Sequence, residues 1–224
     1  MCGRYTFRHA EDLRRFIEEL TGEVMDPPAV RYNVAPAQEN PVVAHGAGDA
    51  RPRLHAMRWG LVPSWEKSGK PKFAPINARS EEMLGKPTFR AAVQQRRCVV
   101  PADGYFEWKR PDERTKIPHY ITLQDERPFF MAGLYEAATA TRPPTYALLT
   151  CGPNVLMARI HDRMPVILPP AAVARWLTPG PLTPAEAAAI CVPYDAAAMQ
   201  AWAVSSVVNN ARHDVPECVV PVLN

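Results

Sequence analysis

The sequence has no CxxC pair, and its five cysteines, Cys2, Cys98, Cys151, Cys191 and Cys218, are odd in number. Such spacing argues against a disulfide framework and against a structural zinc site, so neither metal nor cofactor is expected. Cys98, Cys151 and Cys191 have apolar neighbours and read as buried small hydrophobes. No apolar run is long enough to cross a bilayer. The opening segment, Met1 to Arg15, lacks the apolar stretch of a secretory leader, which leaves a cytoplasmic location without a membrane partner as the expectation. Internal repeats are absent, and the 25 prolines are dispersed as turn and strand-edge residues rather than gathered in a disordered tract. A net charge of only +3 does not by itself point to a polyanion. Of the 26 basic residues, however, 20 are Arg, whose planar fork grips phosphate; an Arg- and Ala-rich genome would produce the same bias.

What is present suffices for one domain, residues 1–224, with 47% hydrophobic residues to fill a core. Leu13, Phe16, Ile17 and Leu20 recur at helical spacing over residues 11–20, and Thr21-Gly22 ends that helix. Strand patterns follow at 41–45, 54–60, 97–101, 104–109, 118–124, 129–135, 146–151 and 165–168, punctuated by Gly, Pro and Asp. Residues 64–75 read as a polar loop, and 80–95 as a short helix or two interrupted at Lys86-Pro87. Further helices are expected from Asn154 to Ile160, over 171–177, from the capping box at Thr183, and over 195–202, followed by an irregular tail. This succession predicts an α+β domain in which peripheral helices surround a curved, largely antiparallel, barrel-like β core.

Three segments carry chemistry. Cys2 precedes Gly3 and follows only Met1, so removal of Met1 leaves an α-amine and a thiol on one residue. An α-amine with a pKa near ~7.7–8.0 is partly neutral at neutral pH and attacks aldehydes. The adjacent thiol then closes a five-membered thiazolidine, an intramolecular step that an internal cysteine cannot perform. In Gly104-Tyr105-Phe106-Glu107-Trp108-Lys109, strand alternation sets Tyr105 and Glu107 on one face and Phe106 and Trp108 on the other. A carboxylate among aromatics is desolvated toward general acid–base service, although a single strand Glu is more commonly an edge ion-pair partner. His161, at a corner before Asp162-Arg163-Met164-Pro165, is either a proton shuttle or a structural histidine, with Arg163 available to a phosphate. Asn77-Ala78-Arg79 presents an amide and a guanidinium in a polar corner, or simply a turn.

Together these segments resemble the SOS response-associated peptidase (SRAP) family. The resemblance rests on seven ordered motifs: Met1-Cys2-Gly3-Arg4-Tyr5, Arg31-Tyr32-Asn33-Val34-Ala35-Pro36, Arg58-Trp59-Gly60-Leu61-Val62-Pro63, Ile76-Asn77-Ala78-Arg79-Ser80-Glu81, Arg97-Cys98-Val99-Val100-Pro101, Gly104-Tyr105-Phe106-Glu107-Trp108 and His161-Asp162-Arg163-Met164-Pro165. It implies a single α+β domain with a barrel-like core and a positively charged groove. It also implies covalent capture of abasic sites in single-stranded DNA, and a thiol autopeptidase activity that removes residue 1. By this resemblance Cys2 is the nucleophile, with Asn77, Glu107 and His161 as its partners. Arg4, Arg79 and Arg163 are implied phosphate contacts, and Asn33 and Trp108 also lie near the DNA. A monomer that associates with the nucleoid when bound to DNA is the expectation. The loop 64–75, the Pro-rich segment 141–145 and the tail from Ser205 carry no closely matching motif. Two other readings compete. N-terminal-nucleophile glutamine amidotransferases also begin Met-Cys-Gly, but the remaining motifs here do not match them. A non-covalent DNA reader would use the same arginines yet has no need of an N-terminal thiol.

Overall fold

A computed structural model of the chain describes residues 2–46, 48–66, 71 and 73–222. Thirteen strands and four α-helices are found among them. Five strands close a ring: β3 (Glu39–Ala44), β4 (Arg53–Trp59), β6 (Arg97–Ala102), β9 (Phe129–Glu136) and β10 (Thr145–Cys151), in the order β10-β4-β3-β6-β9 and back to β10. The β4–β10 contact is parallel; the other four contacts of the ring are antiparallel. The ring is the curved, largely antiparallel core that the sequence predicts. Strands β6, β9 and β10 are buried at every residue, which is why they read as continuous apolar runs rather than alternating ones.

Helix α1 (Ala10–Thr21) buries Leu13 and Ile17, and its Phe16 ring stacks on Phe130 with centroids 4.1 Å apart. Gly22 ends it at φ 73°, a left-handed conformation that glycine adopts without strain, and its N–H returns to the Glu18 carbonyl. Helix α2 (Pro87–Gln95) starts at the proline expected to interrupt it, because a first-turn N–H needs no helical acceptor; residues 80–85 form turns. Helix α3 (Pro170–Leu177) buries Trp176 against β6, and α4 (Pro184–Ile190) carries the reciprocal Thr183–Glu186 capping box that the sequence signals. Buried Arg97 ties these helices to the barrel by donating to the carbonyls of Val93, Trp176, Thr178 and Gly180, so a cation meets the C-terminal ends of α2 and α3.

A second sheet of five strands packs beside the ring. Its members are β1 (Tyr5–Phe7), β2 (Arg31–Val34), β7 (Gly104–Lys109), β8 (Ile117–Leu123) and β13 (Met199–Ala203), in the order β13-β8-β7-β1-β2. Gly104 is required where β7 passes Tyr120, since a Cβ there would collide with the phenol oxygen. The sequence predicts a helix over residues 195–202; only Ala196–Ala198 make a 3₁₀ turn, and β13 then pairs with β8. Tertiary pairing overrides the helical preference of the Ala-rich run. The expected 154–160 helix is likewise reduced to a 3₁₀ turn, Met157–Arg159, with Asn154 Oδ1 accepting from the Met157 N–H at 2.9 Å. Short β5 (Asn77–Arg79) joins β10 in parallel, while β11 (Met164–Pro165) and β12 (Ile167–Leu168) divide the strand expected at 165–168. Of the loop expected at 64–75, residues 67–70 and 72 lie outside the described residues; the others have no regular structure. Among the described residues no helix is long and apolar enough to cross a membrane.

Candidate active site

The site forms where the two sheets meet. Strand β1 runs antiparallel to β7 with Tyr5 opposite Tyr105, and the Phe106 N–H donates to the Arg4 carbonyl. Continuing this ladder brings residues 2–4 alongside 106–108, so the sequence start is delivered to the strand that holds Glu107. Alternation along β7 is as the sequence predicts: Tyr105 joins the main core, whereas Phe106 and Trp108 pack in a second cluster with Tyr120, Trp202 and Val208.

From the ring come the other two groups. Pairing of β5 with β10 fixes Asn77, whose Nδ2 donates to the Cys2 carbonyl at 2.8 Å. Asn77 Oδ1 is buried and has no hydrogen-bond partner among the described residues. The turn leading into β11 sets His161 Nε2 3.9 Å from Glu107 Oε2. That gap exceeds a hydrogen bond but lets one reacting atom lie within bonding reach of both. The four residues expected to act together are thus brought together from four separate segments.

Burial governs their electrostatics. Cys2 is 0% exposed, and desolvation, reinforced by the neighbouring Glu107 carboxylate, pushes its thiol well above the ordinary range; its S–H donates to the Arg4 carbonyl at 3.7 Å. Glu107 is 1% exposed, and desolvation raises its carboxyl to about 7. His161 is held below its ordinary value by desolvation, so the imidazole is neutral at neutral pH. A proton acceptor near neutrality, a neutral imidazole and a protonated thiol therefore lie in one cluster. Tyr105, expected on the face of Glu107, has a buried hydroxyl with no hydrogen-bond partner among the described residues. Its sequence signals are the strand alternation and its place in the Gly104–Trp108 motif.

The residues expected to contact DNA separate. Arg79 is exposed on β5, two residues from Asn77, and meets Glu82 at 3.4 Å. Arg4 is partly buried and donates to the Gly3 carbonyl. Trp108 is partly exposed, its indole N–H donating to Asn209 Oδ1 at 2.7 Å. Arg163 is already engaged: both terminal nitrogens meet Glu81 at 2.8 Å, and Nη2 donates to the Thr150 carbonyl at 2.6 Å. Asn33, expected near the DNA, has its side chain turned inward. It is 0% exposed, and its Nδ2 donates to the carbonyls of Val208, Asn210 and His213. Asp214 completes that anchorage by accepting from the Tyr32 and Asn33 N–H groups and pairing with Arg31, so the tail expected to be irregular is fastened to β2. Three motif residues thus serve the tail that carries Asn209.

A concavity of about 730 Å³ is lined by Arg58, Trp59, Glu66, Ile76 and Arg142 among others; Cys2 does not line it. Among the described residues, no group of three His, Cys, Asp or Glu side chains is placed to hold a metal ion.

Known proteins share both sequence and architecture. The chain is 41% identical over 225 residues to the abasic site processing protein YoqW of Bacillus subtilis, covering 98% of this chain and 99% of that one. It is 34% identical to the abasic site processing protein HMCES of Xenopus tropicalis, covering 86% of this chain and 66% of that one. A crystal structure of a protein from Bacteroides thetaiotaomicron superposes with a TM-score of 0.80 at 27% identity, over 99% of this chain and all of the other. A phage-related protein of Bordetella bronchiseptica gives a TM-score of 0.72 at 29% identity, over 91% of this chain and 94% of that one. The profile of the SOS response associated peptidase family matches residues 1–211, and with these relatives it shows that the chain belongs to that family.

Proposed function

We propose that this protein processes abasic sites in single-stranded DNA by joining them covalently to Cys2, once removal of Met1 has freed its α-amine. The reading is carried by the convergence of Asn77, Glu107 and His161 on the residue that becomes the N-terminus. The names of the relatives support it.

The amine of Cys2 adds to the ring-opened aldehyde of the lesion, and loss of one water gives an imine. The Cys2 S–H then adds across the C=N bond, sulfur to carbon and proton to nitrogen, closing a thiazolidine without net oxidation or reduction. Glu107, raised to about 7, is suited to take the thiol proton and return it. Neutral His161 is suited to the proton transfer that opens the sugar ring. Asn77 Nδ2 orients the Cys2 backbone, and its Oδ1 is a buried acceptor for a sugar hydroxyl. An unstacked lesion reaches such a buried cluster from a single strand more readily than from a duplex. Arg4 and Arg79 supply phosphate contacts and Trp108 a stacking surface, whereas a phosphate reaches Arg163 only by exchange with Glu81. Strand cleavage by elimination from the imine, and removal of Met1 by the Cys2 thiol itself, belong to the same proposal.

The test is a denaturing gel of the protein with an abasic single-stranded oligonucleotide, accompanied by intact mass of the protein. A heat-stable adduct on protein lacking Met1 is expected. Binding without an adduct would make the protein a non-covalent reader, and adduct formation by protein that fully retains Met1 would refute the role of the amine.

A further inference from the structure

His161 Nδ1 has two neighbours that demand opposite protonation. Asp162 Oδ1 lies 2.8 Å away and needs a proton on Nδ1, whereas the Arg163 backbone N–H, 3.0 Å away, donates to an Nδ1 lone pair. A neutral imidazole satisfies one of them, and the choice decides what Nε2 shows to Glu107: a proton in the second case, a lone pair in the first. Arg110 also lies close enough for its field to disfavour imidazolium.

Exposure separates the two neighbours. The Asp162 side chain is 83% exposed, so water competes for it, while the Arg163 side chain is 13% exposed. Arg163 is fixed by a three-point clasp: Nη1 and Nη2 to the two Glu81 oxygens at 2.8 Å, and Nη2 to the Thr150 carbonyl at 2.6 Å. Thr150 is buried in β10, opposite both Arg79 of β5 and Pro165 of β11. The clasp therefore ties the 161–163 turn to the barrel and presses the Arg163 amide onto the ring. A planar bidentate pair of this kind carries orientation as well as charge.

We infer that Glu81 is a positioning residue that, through Arg163, fixes the tautomer of His161 with the proton on Nε2, facing Glu107. Glu81 touches neither Cys2 nor the imidazole. The tautomer itself does not depend on what the protein binds; its effect on rate rests on the proposed crosslinking.

Long-range proton–nitrogen correlation spectra of the full chain, with ring-labelled histidine, read the tautomer directly. The six histidines are few enough for His161 to be assigned by its loss in His161→Gln. Wild type is expected to show the Nε2–H form. Glu81→Gln, a change at a half-exposed side chain, and Arg163→Lys, which keeps the charge but not the fork, are each expected to move His161 toward Nδ1–H. Their combination should move it no further than either alone, as for two parts of one unit. Adduct formation should slow about tenfold in Glu81→Gln, less than the ~10²–10⁴-fold that a proton-transfer group itself commands, because Glu81 acts through Arg163. An unmoved tautomer in both variants overturns the inference whether or not an adduct forms. Tighter DNA binding by Glu81→Gln with an unmoved tautomer likewise overturns it and makes Glu81 a competitor of phosphate for Arg163.

Discussion

Replacing Glu107 by Gln separates two consequences of burying one carboxyl group. Burial raises this carboxyl from an ordinary 4.5 to about 7. Below 4.5 the group holds its proton in both folded and unfolded chains, and folding is unaffected. Between 4.5 and about 7 the unfolded chain releases the proton while the folded chain keeps it, so stability falls as pH rises; above about 7 the whole penalty is present. At about 1.4 kcal/mol per tenfold change in proton affinity, that interval corresponds to about 3 kcal/mol. Gln has nearly the same shape and never ionises, so it removes the penalty. Urea unfolding of both proteins at about pH 4 and about pH 8.5 measures this directly. The variant should match wild type at the acid end and exceed it by about 3 kcal/mol at the alkaline end. Its crosslinking rate at neutral pH should fall about 100-fold, because an amide cannot take up the thiol proton. A stability difference that is the same at both pH values would refute the reasoning, since the burial of Glu107 would then carry no proton linkage.

Three further perturbations test other parts of the structure. Cys2→Ser keeps the amine but replaces sulfur by a poorer ring-closing nucleophile, so its adduct should be labile, trapped by borohydride and prone to strand cleavage; a heat-stable adduct equal to that of wild type would remove sulfur from the linkage. Arg79→Ala should reduce the dependence of log affinity on log salt for intact single-stranded DNA by about 0.7, the share of one phosphate contact, and an unchanged slope would place the strand elsewhere. Arg97→Leu should lower unfolding stability by about 3 kcal/mol or more, because it strands buried carbonyls of α2, α3 and the turn at Gly180; a change below about 1 kcal/mol would mean those carbonyls find other donors.

Sequence alone determined the features whose cause is local. The spacing of Leu13, Phe16, Ile17 and Leu20 with Gly22 specified α1, the Thr183–Glu186 box specified α4, and the apolar runs at 97–101, 129–135 and 146–151 specified the strands at the centre of the ring. Alternation in β7 correctly put Tyr105 opposite in face to Phe106 and Trp108, because side-chain direction along a strand follows from the pleat alone. Cys2 stood out because the amine and thiol proposed to act together on it depend on removal of Met1, not on folding.

What only the tertiary structure decided depends on partners distant in the chain. Strands β1, β2 and β5 have three or four residues each, too few for a periodic signal, and exist because β7 offers an edge to β1, β1 to β2 and β10 to β5. Residues 199–203 form a strand against the helical preference of their neighbours because β8 lies alongside. Two residues of one motif, Arg31 and Asn33, the latter expected near the DNA, fasten the tail through Asp214 and three backbone carbonyls. Arg163 meets Glu81, 82 positions away, and that pairing is invisible to any local pattern. A motif marks which residues matter, but whether a polar side chain faces solvent or satisfies buried groups is settled by packing, because only packing determines which groups lose water.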